Sequence, residues 1–187
     1  GNVTRFKVGD RVAAIFFQKW LEGRPAADVG ASAMGGSIDG MLSQYVTLNE
    51  AGLAKIPGGL SYEEAATLPC AGVTAWNALV THGQTGPGQY VLLEGTGGVS
   101  VIGLQLAVAL GAKPIITSSS DAKLVRAREL GAFVTINYRS SSEWDRDVMT
   151  LTGGTATSRV TTSVEPRTSV WTVIGPGLPA GAAARAR

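Results

Sequence analysis

The sequence predicts an α/β fold: part of a doubly wound parallel sheet, preceded by a segment that reads mainly β. Three observations carry this. A short apolar run, Tyr90-Val91-Leu92-Leu93, feeds a glycine-rich turn and then a helical pattern that stops at Gly111. Two further apolar runs, Pro114 to Thr117 and Phe133 to Ile136, are separated by a charged amphipathic pattern over Asp121 to Leu130. Ahead of Pro57 the apolar residues instead recur at alternate positions. Short apolar runs bounded by turns suit strands covered on both faces, whereas alternation suits strands covered on one.

The first third divides into short pieces. Phe6 to Phe17 alternates across the turn Val8-Gly9-Asp10-Arg11 and predicts two short β segments. Gln18 to Gly40 has no sustained period and predicts a long loop bordering a site. Met41 to Leu48 alternates again, and Leu53 to Ile56 adds another apolar piece before Pro57-Gly58-Gly59 ends it. Ser61 followed by Glu63-Glu64 then marks a helix start, with acidic residues at the positive end of the dipole. Thr74 to Val80 is helical in spacing, and His82-Gly83 to Pro87-Gly88 ends it.

From Tyr90 the order is strand, turn, helix, strand, helix, strand, which requires a parallel sheet with right-handed crossovers. A further helix is expected around Trp144 to Leu151. After Gly153 the chain turns rich in Thr, Ser, Ala, Pro and Arg, with Val170 to Ile174 as its apolar cluster and no clear strand-helix alternation. Only half of the doubly wound sheet is expected on this reading.

The turn Gly95-Thr96-Gly97-Gly98-Val99-Ser100 carries the chemistry. A dinucleotide pyrophosphate needs backbone N–H groups at the positive end of a helix, with no β-carbon in the way. Gly95 is expected to turn the chain out of the strand, Gly97 and Gly98 to admit the phosphates, and the helix from Val99 to face them. A glycine-rich turn alone is a weak signal and also serves plain helix-on-strand packing. Here it follows a buried strand and opens a capped helix, the context of a Rossmann-type dinucleotide site. The next strand ends in Thr117-Ser118-Ser119-Ser120, with Lys123 one turn into the following helix. An acidic residue at this place binds a ribose 2′-hydroxyl, while hydroxyls and a cation admit a 2′-phosphate. NADP is therefore expected over NAD. Asp121 opposes this, because it either caps the helix or takes the ribose hydroxyls, and Lys123 is otherwise an ordinary solvated helix residue.

Bulk properties exclude several classes. The chain has 187 residues, 44% hydrophobic and 16% charged, with 25 glycines, a composition unlike disordered or fibrous proteins. A net charge of +2 without a basic run argues against nucleic-acid partners. One cysteine, Cys70, permits neither an internal disulfide nor a cysteine-cluster zinc site, and suits a reducing cytoplasm. No apolar run approaches the roughly 20 residues needed to cross a bilayer, so no membrane partner is expected.

The residues also resemble a known family. Val8 to Val12, Gly40 to Val46, Leu60 to Leu68, Pro69 to Trp76, the glycine turn and Ala127 to Ala132 match, in order, the run of the medium-chain dehydrogenase/reductase superfamily. The resemblance covers roughly Gly1 to Gly154 and is greatest to the zinc-independent, quinone oxidoreductase-like branch. It implies a partial GroES-like catalytic domain at 1–57, connecting helices at 58–88 and a partial NAD(P)-binding domain at 89–152; residues 153–187 depart from the family's pattern and read as an atypical tail, out of frame or disordered. It implies an NADPH-dependent reductase of a small-molecule quinone, enone or other carbonyl compound, usually a homodimer at full length. Zinc-dependent alcohol dehydrogenase and inactive nucleotide-binding remnant are the alternatives. By family position Thr74 lies near the nicotinamide, Gly97, Gly98 and Val99 at the pyrophosphate, and Ser118, Ser119, Lys123 and Tyr138 around the 2′-phosphate. Thr74 otherwise caps its helix, and Tyr138 otherwise packs at the strand end.

No metal ligand set is expected. Catalytic zinc needs three protein ligands and structural zinc four. The loop Gln18 to Gly40, where zinc-dependent relatives carry a cysteine cluster, has no cysteine. Cys70 sits where those relatives place one catalytic ligand, but His82, the one histidine, lies in a turn. No catalytic acid is identifiable, and Tyr45 reads as a β-core or surface residue before a cleft residue. The chain opens at Gly1 without a methionine, as a piece of a longer protein would. Thr155 to Arg187 has the composition of a GC-rich gene read out of frame, in which case the other two frames encode a fourth-strand pattern.

Overall fold

The computed structural model describes residues 3–154, 158–165 and 168–174. The chain divides into two compact units, Gly1–Cys70 and Ala71–Arg187.

The first unit has little regular structure. Strand β1 (Val12–Ala14) pairs antiparallel with β2 (Leu53–Lys55), Ala13 opposite Ala54. Isolated bridges join Phe17 to Ala33 and Met34 to Ile38. The expected strand over Met41 to Leu48 is absent, and Leu42 and Tyr45 there are exposed. Alternation specifies a face only when another strand takes up the backbone N–H and C=O groups, and no described strand lies beside this stretch. Near the end of the unit the sequence is read correctly. Ser61 starts helix α1 (Tyr62–Ala66) with a capping box: its hydroxyl accepts the Glu64 N–H at 3.1 Å, and the Glu64 carboxylate accepts the Ser61 N–H at 2.7 Å.

The second unit holds the sheet. A π-helical turn at Leu68–Gly72, crossing from one unit to the next, leads into α2 (Val73–Trp76), which runs into a second π-helical stretch at Asn77–His82. Then come β3 (Tyr90–Glu94), α3 (Gly98–Ala109), β4 (Lys113–Ser118), α4 (Asp121–Glu129), β5 (Val134–Asn137) and α5 (Trp144–Leu151). Each lies within a few residues of its sequence expectation. Alternate residues of the strands build two cores, as the pleat requires. Val91, Leu93 and Ile116 pack with Leu104 and Ala107 of α3 and Leu124 and Ala127 of α4. Leu92, Ile115 and Ile136 pack with Val148 of α5.

Past Gly154 the structure departs from expectation. Strand β6 (Ser158–Glu165) pairs parallel with β3, Leu93 opposite Val160, and β7 (Thr168–Ile174) pairs antiparallel with β6. The sheet order is β5-β4-β3-β6-β7, so the sheet continues beyond the expected half. Local composition accounts for this: Val160, Thr161, Thr162 and Val164 are β-branched, and such residues fit a pleated surface even where helical signals are missing. Strand order reverses at β3, so the crevice at the carboxyl ends of β3 and β6 is the topological switch point. The remainder of the tail expectation falls on residues outside those described.

Candidate dinucleotide site

β3 delivers its carboxyl end to the switch point, and there the glycine turn leaves it. Gly95 adopts φ +87°, a conformation side chains rarely take, and turns the chain toward α3. Gly97 occupies the N-cap position without a side-chain cap, and the first helical N–H bonded backward is that of Val101, to the Gly97 carbonyl at 2.9 Å. The N–H groups of Gly98 and Val99 precede it and are left without an intrahelical partner. A Cβ placed on Gly95, Gly97 or Gly98 meets nothing within 4 Å among the described residues, and Gly97 and Gly98 are exposed. An open face carrying N–H donors at a helix N-terminus fits a pyrophosphate.

Two residues near the start of α3 fix how it lies on the sheet. Ser100 stands where the dinucleotide fingerprint has its third glycine. It is fully buried, and its hydroxyl donates to the Glu94 carbonyl at 3.3 Å. One turn later, a Cβ on Gly103 would lie 3.2 Å from Leu93 Cδ2, so the absence of a side chain sets the approach of helix to strand.

The end of β4 lies beside the turn. Thr117 Oγ1 accepts the Gly95 N–H at 3.2 Å, and the Thr96 and Ser118 hydroxyls share a hydrogen bond of 3.0 Å. Ser118 also accepts the Ser120 N–H at 3.3 Å and is only 3% exposed. Of the residues expected around a 2′-phosphate, Ser118 is thus turned inward, Ser119 is half-buried, and Lys123 and Tyr138 are exposed. Lys123 makes no ion pair among the described residues. Asp121 does not cap α4. Its carboxylate accepts from the Asn137 side-chain amide at 2.7 Å, and Asn137 Oδ1 accepts the Arg139 N–H at 3.0 Å. The Tyr138 N–H donates to the Ser118 carbonyl at 3.2 Å, so the exit of β5 is tied to the exit of β4.

Thr74 lies half-buried on α2, which packs against α3. The sequence marks Thr96, Ser100 and Thr117 only as members of the turn and the strand end, without their partners, and does not single out Asn137. The available signal was that hydroxyls at the ends of buried strands must find partners.

Among the described residues no three His, Cys, Asp or Glu come together as a ligand set. Cys70 is exposed on its π-helical turn, His82 is exposed at the end of the next, and Tyr45 is a surface residue. Among the described residues no helix is long and apolar enough to cross a membrane.

The zinc-binding dehydrogenase family matches residues 98–169, a stretch that contains neither cysteine nor histidine. A zinc-type alcohol dehydrogenase-like protein of Schizosaccharomyces pombe is 46% identical over 155 residues, 82% of this chain and 45% of its own length. A putative alcohol dehydrogenase of Sinorhizobium meliloti superposes with a TM-score of 0.76 at 47% identity, over 82% of this chain and 46% of that one. An NAD-dependent alcohol dehydrogenase gives 0.69 at 35% identity over 81% and 46%. The Escherichia coli quinone oxidoreductase complexed with NADPH gives 0.51 at 34% identity over 56% and 32%. The chain therefore spans about half the length of the relatives it matches, or less. By these matches the chain belongs to the medium-chain dehydrogenase/reductase superfamily, a family of oxidoreductases.

Proposed function

We propose that this chain is the nucleotide-binding part of an NADPH-dependent oxidoreductase of the quinone oxidoreductase-like type, acting on a quinone, enone or other carbonyl compound. The observation that carries the cofactor choice is the exit of β4. It ends in serines and not in an acidic residue, the Asp121 carboxylate is engaged by Asn137, and the Lys123 ammonium stands one turn beyond. A carboxylate already holding an amide is a poorer ribose ligand, while an exposed cation attracts a phosphate dianion.

On this reading the N–H groups of Gly98 and Val99 hold the pyrophosphate, Ser119, Lys123 and Tyr138 hold the 2′-phosphate, and Thr74 on α2 stands at the nicotinamide end. The nicotinamide, when bound, supplies the hydride. The chain's own contribution is to fix the dinucleotide so that one ring face is presented to the substrate. The accompanying proton comes from water, a hydroxyl or the ribose. Full-length homodimers acting in the cytoplasm belong to the same proposal.

Titration of the chain with NADPH and with NADH, followed by quenching of tryptophan fluorescence, tests the reading. Tighter binding of NADPH together with turnover of a quinone or enone supports it. Binding without turnover of any such substrate favours a nucleotide-binding remnant, and no binding overturns the proposal. The name of the S. pombe relative favours a second reading, a zinc-dependent alcohol dehydrogenase. Elemental analysis of the full-length protein decides between them: stoichiometric zinc with alcohol oxidation supports the second.

A further inference from the structure

Ser118 is expected, by family position, to face the 2′-phosphate, yet its hydroxyl is buried and bonded inside the fold. A hydroxyl has one proton and two lone pairs. The Ser118 hydroxyl shares a hydrogen bond with Thr96 Oγ1 at 3.0 Å and accepts the Ser120 N–H at 3.3 Å, with the residue 3% exposed. Its neighbour Thr117, 2% exposed, accepts the Gly95 N–H at 3.2 Å. These contacts join two segments that the chain separates by more than twenty residues: the glycine turn and the exit of β4 toward Ser119 and Lys123. The space around Gly95, Gly97 and Gly98 is open among the described residues, so no side chain packs on these glycines where a Cβ would stand.

We infer that Ser118 is a positioning residue. Its buried hydroxyl, bonded to that of Thr96, sets the pyrophosphate turn against the segment that carries the 2′-phosphate groups, and it touches no phosphate itself. The inference rests on the dinucleotide reading above and makes it specific. NADH and NADPH share the pyrophosphate, so loosening the turn weakens both equally, whereas loss of a 2′-phosphate ligand weakens NADPH alone.

The experiment titrates the full chain and its Ser118→Ala, Thr96→Val and Thr96→Ser variants with NADPH and with NADH, alongside Lys123→Ala. Ser118→Ala and Thr96→Val are each expected to raise both dissociation constants by the same factor, about two- to tenfold, leaving their ratio unchanged. Thr96→Ser, which keeps the hydroxyl, should bind as the parent does. The double variant Ser118→Ala/Thr96→Val should lose no more than Ser118→Ala alone, because both changes remove the same Ser118–Thr96 bond and Ser118→Ala already removes the bond from the Ser120 N–H as well. Lys123→Ala should raise the NADPH constant alone. If Ser118→Ala weakens NADPH while sparing NADH, Ser118 is a phosphate ligand and the inference is wrong. Additive losses in the double variant, or Thr96→Ser behaving as Thr96→Val, also overturn it. Should Ser118→Ala fail to fold, the two Thr96 variants decide the matter. A parent chain that binds neither dinucleotide refutes the functional reading and this inference together, whereas a parent that binds but breaks the pattern refutes only the inference.

Discussion

The units Gly1–Cys70 and Ala71–Arg187 are held together by different forces. Of the buried hydrophobic side chains among the described residues, all except Ala65 lie beyond Cys70, and all of those except Ala75 fall in the two clusters built on the strands of the sheet. The first unit relies on polar contacts. Glu50 accepts the backbone N–H groups of Thr4 and Arg5, the Arg11 guanidinium donates to the Leu60 carbonyl at 2.6 Å and stacks over Tyr62, and the Gln18 amide donates to the Ile15 and Gly52 carbonyls. A fully buried Leu or Ile contributes about 1.5–3 kcal/mol, while an exposed hydrogen bond nets about 1 kcal/mol or less. The candidate site sits on the apolar unit. A precise turn needs a rigid support, and the packed sheet provides it.

Cavity formation should separate the units most sharply. Leu104 is fully buried between α3 and the sheet, whereas Leu42 is 106% exposed relative to the reference residue. Leu104→Ala is expected to lower the unfolding free energy of the sheet unit by about 2–5 kcal/mol, and Leu42→Ala to change it by about 0.5 kcal/mol or less. Urea unfolding monitored by circular dichroism measures both, and equal losses would erase the distinction. Ligand binding comes next in size. NADPH at 100 times its dissociation constant should stabilise the sheet unit by about 2.7 kcal/mol. Hydrogen exchange should show the gain in peptides from β3 to α4. Equal protection in peptides before Cys70 would break the division.

What the sequence revealed follows the same division. β3, α3, β4, α4 and β5 were legible because buried parallel strands read as unbroken apolar runs and because Gly111 and Gly131 close their helices. The capping box at Ser61 was legible because its chemistry is local. Met41 to Leu48 misled because alternation records a preference for a face and says nothing about whether a partner strand is present. β6 was hidden for the opposite reason: composition across the tail obscured a run of β-branched residues that pairs with β3, a contact about 65 positions distant in sequence. Ser118 illustrates the limit at the site. Its residue type announced a hydroxyl at the strand end, but inward or outward direction depends on Thr96, which only the folded chain brings alongside.

Two glycines with nearly the same backbone conformation isolate packing from strain. Gly9 adopts φ +92° in open space, and Gly131 adopts φ +96° where a Cβ would lie 3.0 Å from Val108 Cγ2. Alanine at either position carries a left-handed penalty of about 1–2 kcal/mol. At Gly131 it must also displace a β-branched side chain whose rotamer the helix restricts, adding about 0.5–1.5 kcal/mol. Gly131→Ala should therefore lower the thermal midpoint more than Gly9→Ala. Equal shifts would mean that α3 yields there as readily as a loop.

The smallest expected effect is electrostatic and belongs to the first unit. The backbone N–H of Arg5, then that of Thr4, hold the Glu50 carboxyl below its ordinary value of 4.5, with burial opposing them. A depressed carboxyl favours the folded arrangement above its unfolded pKa, and that contribution disappears as pH falls through the lower folded value. The contacts to Thr4 and Arg5 should thus be intact at neutral pH and lost on acidification below about 4.5. Arg5 amide exchange, corrected for its intrinsic pH dependence, should lose protection over that window, and Glu50→Gln should weaken the same protection at neutral pH. Glu50 and its partners Thr4 and Arg5 all belong to the first unit, so the near-ultraviolet signal of the sheet unit should be unchanged by Glu50→Gln at neutral pH. A change there would mean that the polar anchor of the first unit also governs the core of the second.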